Sequence, residues 1–296
     1  MSLLIFSLVG AFAQLIDGTL GMAFGITSST LLVAVGATPL AASAAVHFAE
    51  LGTTFASGAS HWRVRNVDWR IVVRIGLPGA IGAALGSSVL SRISLEGSRT
   101  WMAGLLFVLG IILLVRFGLH HIVIRPISRK PKTSVLAPLG LAAGFIDASG
   151  GGGWGPITTP SLLLLTSGEP RKVIGTVSAS EFFVALAASG GFIAGSATSD
   201  LDWQVIAGLL LGGVLMAPFA ALLAGRLPHA PFGTLIGGAI ALINGRTLIQ
   251  AVDPPSWALP TFFVVTGITI FLLVRKSWLR ERREGIEHSF FEQESS

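Results

Sequence analysis

Ile16-Asp17-Gly18-Thr19-Leu20-Gly21-Met22-Ala23-Phe24-Gly25 returns, 130 residues on, as Ile146-Asp147-Ala148-Ser149-Gly150-Gly151-Gly152-Gly153-Trp154-Gly155. Each copy places an acid in apolar sequence and follows it with glycines. Working outward, Glu50 in Val46-His47-Phe48-Ala49-Glu50 matches Glu181 in Val177-Ser178-Ala179-Ser180-Glu181 at an offset of 131. Asp68-Trp69 matches Asp202-Trp203, and Arg92 matches Arg226, at an offset of 134. So small a drift points to one ancestral unit, duplicated. Duplicated halves with Gly-broken apolar segments and acids inside the membrane are the sequence form of a secondary transporter.

Composition sets the class. Of 296 residues, 52% are hydrophobic and 12% charged, with mean hydropathy +0.76. A soluble domain carries about 25% charged residues. The chain is therefore read as an all-α, polytopic membrane protein. Its 37 glycines let helix backbones approach closely where lipid gives no hydrophobic drive to pack. With no Cys there is no disulfide, thiol nucleophile or thiolate-bound metal. The six His show no His-x-x-His spacing, so neither a metal nor a cofactor is expected. The net charge of +5 resides in loops and tail and reports membrane orientation, not nucleic-acid binding. Ala11-Phe12-Ala13 has the form of a signal-peptidase site. No basic n-region precedes it, and cleavage would remove part of the duplicated segment.

Apolar stretches run over 2–35, 39–61, 68–91, 100–118, 134–166, 171–195, 203–225, 229–245 and 256–274. Most have the length of one span, about 20 residues. The first and fifth are longer and broken by the Asp/Gly motif, so each is one long broken span or a re-entrant pair of half-helices. Charge separates the two. With the basic tail cytoplasmic and both long segments re-entrant, 17 Lys and Arg lie inside and three (Arg92, Arg99, Arg246) outside. If each long segment crosses once, the split is even. The positive-inside rule selects the first arrangement. The halves are then inverted, with about seven full spans, two hairpins, the N-terminus outside and the C-terminus cytoplasmic. The expected units are a first inverted repeat over 1–119, a basic cytoplasmic linker over 120–133, a second repeat over 134–250, an extra span over 251–276 and a cytoplasmic tail over 277–296. From Ser277 the tail reads as a solvated segment or an interfacial helix.

The chemistry is expected at the breaks. A helix interrupted inside the membrane offers free N–H groups and the positive end of its dipole to an anion. The candidate substrate-binding residues are Gly18, Thr19, Gly21, Gly25 and Ser28 in the first break, with Thr27 and Ser29 beside them. In the second they are Ser149, Gly150, Gly151, Gly152, Gly153, Trp154, Thr158 and Thr159. No Arg or Lys is expected at the bilayer centre, which leaves backbone dipoles and hydroxyls to hold the anion. Asp17 and Asp147 either cap the half-helices that follow them or carry a proton or cation with the substrate. Glu50 and Glu181 sit midway along the next spans, where a carboxylate is costly unless protonated or paired. His47, one turn before Glu50, forms with it a candidate proton relay that Ser178 does not reproduce in the second half. Pro39 and Pro170 mark the starts of these spans.

The pattern Asp-Gly-x-x-Gly-x-x-x-Gly at 17–25, Asp-x-x-x-Gly-x-x-x-Gly at 147–155 and the glycines at 76, 79, 82 and 86 resemble the sulfite exporter TauE/SafE family, part of the 4-toluene sulfonate uptake permease group. The resemblance runs to about residue 275. It implies proton-linked transport, outward, of sulfite, sulfoacetate, other organosulfonates or related sulfur anions in a bacterial inner membrane. It admits a homodimer. Met22-Ala23-Phe24 stands where the second copy has Gly152-Gly153-Trp154, so the two breaks are not equivalent. A passive anion channel or uniporter is the alternative. An intramembrane protease built on the aspartates or on Ala148-Ser149-Gly150 is the more distant one, since no base is evident for the serine.

Overall fold

The computed structural model describes residues 3–20, 22–119, 131–166, 170–195, 201–224 and 228–294. Their elements are α1 (Leu3–Leu20), α2 (Phe24–Ala34), α3 (Pro39–Arg63), α4 (Trp69–Leu90), α5 (Leu95–Leu119), α6 (Thr133–Gly150), α7 (Trp154–Leu165), α8 (Pro170–Ala194), α9 (Trp203–Ala224), α10 (His229–Gln250) and α11 (Ala258–Glu294). Among the described residues no strand occurs. Each apolar stretch forms helix, and the two long ones are each broken in two, between Leu20 and Phe24 and between Gly150 and Trp154. Most of the 120–133 linker, and residues 199 and 200 of the 199–202 loop, lie outside the described residues.

The helix starts follow local chemistry. Pro39 opens α3 behind Thr38, whose hydroxyl accepts from Ala41 N at 3.2 Å. Pro170 opens α8. Asp68 heads α4, accepting from Arg70 N at 3.0 Å, and Asp202 heads α9, accepting from Gln204 N at 2.8 Å. The repeated Asp-Trp pairs are thus N-caps, each followed by an exposed interfacial tryptophan.

Among the described residues, five helices are long and apolar enough to cross a membrane: Trp69–Leu90, Leu95–Leu119, Arg171–Ala194, His229–Gln250 and Ala258–Arg283. α3 has the length, at 25 residues, but its Ser, Thr, His and Glu make it too polar.

The two halves are built into each other. α1 lies along α9 and α6 along α4, while α3 packs on α8 and α5 on α10. Small residues make these seams. Gly10 abuts the Leu209 backbone, and its repeat counterpart Gly140 abuts the Ile75 carbonyl. Gly82 faces the Leu141 carbonyl, and a Cβ on Gly86 would lie 2.5 Å from Phe145 O. Such approach gives dense packing in a solvent that does not drive apolar surfaces together.

α11 is one helix of 37 residues, continuous past Ser277. At 1.5 Å per residue it is about 55 Å long, well beyond a hydrocarbon core of about 30 Å. Two side chains dock its polar half. Glu281 accepts from His229 N at 3.1 Å and Ala230 N at 3.3 Å, capping α10, and Arg280 donates to Phe117 O at 2.8 Å.

Candidate functional site

Each break is tied by its own aspartate. Asp17 Oδ1 accepts from Ala23 N at 2.8 Å and Phe24 N at 3.3 Å. Asp147 Oδ1 accepts from Trp154 N at 2.9 Å. Phe24 and Trp154 each lie seven residues beyond their acid, so the carboxylates cap α2 and α7 from across the break. The second break also needs its glycines: Gly151 (φ 74°) ends α6 left-handed, and Gly152 has φ 138°.

The breaks meet. A Cβ on Gly25 would lie 2.8 Å from Gly152 Cα and 2.9 Å from Glu50 Oε1. A Cβ on Gly155 would lie 3.2 Å from Met22 Cβ. Adding the 130-residue offset turns Gly25 into Gly155, and subtracting it turns Gly152 into Met22. The two contacts are equivalent under exchange of the halves. Ser29 Oγ further donates to Gly151 O.

Beside the crossing lies a cavity of about 450 Å³. Asp17, Gly25, Glu50, Asp147, Gly153 and Glu181 line it, bringing the four acids singled out in the sequence onto one space. Its volume falls in the range of small-molecule sites. Arg and Lys are absent from this lining. A basic group nevertheless reaches the first break: the Arg116 guanidinium donates to Met22 Sδ and stacks over Phe117.

His47 is placed otherwise than its spacing suggests. Its bonded acid is Asp147, with Nε2 at 3.1 Å from Oδ2, across the two halves. Nδ1 lies 2.7 Å from Ser43 O, which can only accept, so Nδ1 carries a hydrogen. A hydrogen on either atom would complete the contact between Nε2 and Oδ2. Glu50 stands next to the pair: ligand atoms of His47, Glu50 and Asp147 lie within 4.8 Å of one another, all buried, and Glu50 Oε2 has no hydrogen-bond partner. These three could hold a metal ion, a set that His spacing along the chain cannot disclose. Ser43, His47 and Asp147 fall in the order of a hydrolytic triad, but Ser43 Oγ donates to Ala148 O at 2.7 Å. Ser149 Oγ is likewise spent on Phe145 O, at 2.7 Å.

The remaining candidates divide. Gly21 lies outside the described residues, as do the surroundings of Gly18 and the side chain of Thr19. Ser28, Ser149, Thr158 and Thr159 are buried, and Thr158 Oγ1 bonds to Trp154 O at 2.6 Å. Gly150 packs on Leu105. Trp154 is fully buried: its ring meets the space over Gly79, its Nε1 lies 3.4 Å from Val177 O, and it is not among the cavity's lining residues. Gln14, Thr53, Thr54, Ser57, Ser60 and Ser178 line the cavity without having been singled out as binding residues. The α3 residues recur at helical spacing after Glu50, a signal present in the sequence.

Such a fold, with broken helices crossing beside buried acids, defines a polytopic membrane protein of the transporter class. The family model described as sulfite exporter TauE/SafE matches residues 6–247, and the chain belongs to that family. It is 44% identical over 256 residues to "Probable membrane transporter protein YtnM" of Bacillus subtilis (strain 168), covering 84% of this chain and 83% of that one. It is 27% identical over 205 residues to "Probable membrane transporter protein YdhB" of the same organism, covering 68% of this chain and 82% of that one. No solved structure matches it.

Proposed function

We propose that the protein is a proton-linked secondary transporter, acting as an exporter, for small sulfur-containing anions such as sulfite, sulfoacetate or other organosulfonates. It would reside in a bacterial inner membrane as two inverted repeats, with the N-terminus outside and the C-terminus cytoplasmic. The observation that carries the proposal is the convergence of Asp17, Glu50, Asp147 and Glu181 on one cavity beside two helix breaks. Asp17 and Asp147 take Ala23 N, Phe24 N and Trp154 N, so the donors for an anion would be the next amides of α2 and α7, at Gly25 and Gly155. Ionised carboxylates oppose it: at about 5 Å and an effective dielectric near 20, each repels a unit anion by about 3 kcal/mol. Protonation of the acids and binding of the anion therefore favour each other, which is the thermodynamic content of proton linkage. The gap between His47 and Asp147 is one place for such a proton, and Glu50 and Glu181 are others.

Purified protein in liposomes, supplied with labelled sulfite or sulfoacetate, tests this with and without an imposed pH gradient. Accumulation driven by the gradient is expected. Equilibration without accumulation would mean a channel or uniporter, and no flux of any of these anions would overturn the substrate class.

A further inference from the structure

The cavity is lopsided along α3. Beyond Glu50, towards Arg63, the residues facing it are Thr53, Thr54, Ala56, Ser57 and Ser60, four hydroxyls and one methyl, ending at the exposed Ser60. From α8 it is lined by Val177 and Ser178, the residues before Glu181. Thr54 Oγ1 donates to Glu50 O, and Ser60 Oγ donates to Ala56 O at 2.7 Å. These two hydroxyls spend their hydrogens within the helix, which leaves their oxygen lone pairs as acceptors.

Exchange of the halves converts this groove into another. Thr53, Thr54, Ser57 and Ser60 become Val184, Ala185, Ala188 and Gly191 at the offset of 131. That second route is apolar and shut. Val184 and Ala188 are fully buried, and Gly191 is pressed against Ser87. On the α3 side it is closed by Ser43 and His47, both fully buried, with Phe192 at 5.9 Å from the imidazole centroid. The His47–Asp147 and Ser43–Ala148 bonds hold this side together.

We infer that the α3 hydroxyls Thr53, Ser57 and Ser60 line the hydrated route by which solute passes between the site and the membrane face beside Arg63 and Arg65. The Val184–Ala188 side, sealed by His47 and Phe192, is the closed route to the opposite face. The inference rests on the transporter reading for the solute and on the proposed orientation for calling the open face cytoplasmic. Its geometry rests on neither. The ligand class is that of the transporter reading, a small hydrated anion, for which the hydroxyls supply the polar side of a groove that Ala56 and Val177 also line.

The chain contains no Cys, so single cysteines report without background. Ser57→Cys, Ser60→Cys and Ala188→Cys are reconstituted in sealed vesicles and exposed to a membrane-impermeant maleimide from each side. Asn66→Cys, in the loop after α3, marks the open face. Ser57→Cys and Ser60→Cys are expected to label from the Asn66→Cys side alone, roughly a hundredfold faster than Ala188→Cys, since a thiol must be hydrated to ionise. Monodisperse elution of each variant from a sizing column confirms folding. Labelling of Ala188→Cys as fast as Ser57→Cys, or an inert Ser57→Cys in vesicles where Asn66→Cys reacts, would overturn the inference. Correct labelling with no flux of any sulfur anion would instead overturn the transport reading and leave the route standing.

Discussion

Gly25 of the first break lies against Gly152 of the second, so closely that a Cβ on Gly25 would stand 2.8 Å from Gly152 Cα. Main chain meets main chain there, and no side-chain rotation can relieve an added methyl. Gly152→Ala carries the further strain of φ 138°. Both alanine variants are expected to lose about 2 kcal/mol or more of stability and most flux, with Gly152→Ala the worse. Thermal unfolding in detergent measures this, and a wild-type Tm for Gly152→Ala would refute it.

The two aspartates carry unequal loads. Asp17 caps α2, whereas Asp147 caps α7 and also holds His47. Asn keeps a carbonyl oxygen for a cap but loses the charge that faces an imidazole. Asp17→Asn should therefore retain the wild-type Tm within experimental spread, and Asp147→Asn should lower it. Replacing Asp17 by Ala should cost about 1 kcal/mol, the usual price of a cap.

Acid should strengthen anion binding. As pH falls, the cavity carboxylates take up protons and their repulsion of the anion fades. Affinity for an organosulfonate, whose own charge is constant over this range, should rise by up to about tenfold per pH unit for each proton bound with it. Double replacement Glu50→Gln and Glu181→Gln should flatten that slope. Binding calorimetry across pH decides, and a slope unchanged in the double variant would remove both glutamates from the linkage.

The polar half of α11 is held by Arg280 on Phe117 O and by Glu281 on the start of α10. Both contacts satisfy helix-end groups left over by α5 and α10. Arg280→Ala with Glu281→Ala should lower stability by about 1–2 kcal/mol while sparing anion affinity, because neither residue lines the cavity. Loss of affinity at unchanged Tm would contradict this placement.

Local rules made much of this architecture legible in advance. Asp68, Asp202, Pro39 and Pro170 start helices because capping and a fixed φ act within one turn of chain. The Asp/Gly stretches break helices because an acid and a glycine run offer the backbone other partners. The polar stripe Glu50, Thr53, Thr54, Ser57 and Ser60 was legible too, but its meaning depends on which face of α3 is left open. His47 shows the opposite case. Its nearest acid in sequence is Glu50, yet its bonded acid lies 100 residues away. Chain spacing describes one helix and says nothing of the helix packed against it.

By itself the sequence determined the membrane class, the two breaks with their acids and the family to which they belong. These depend on composition and on interactions between residues close along the chain. Only the tertiary structure decided that α1 and α6 are exchanged between the halves, that Gly25 rests on Gly152, and that His47 bonds Asp147. It alone showed Thr53, Ser57 and Ser60 lining the cavity of the acids while Val184 and Ala188 are buried. Those outcomes depend on which surfaces fit at close range across the bundle, and shape complementarity between distant segments leaves no periodic mark in the chain.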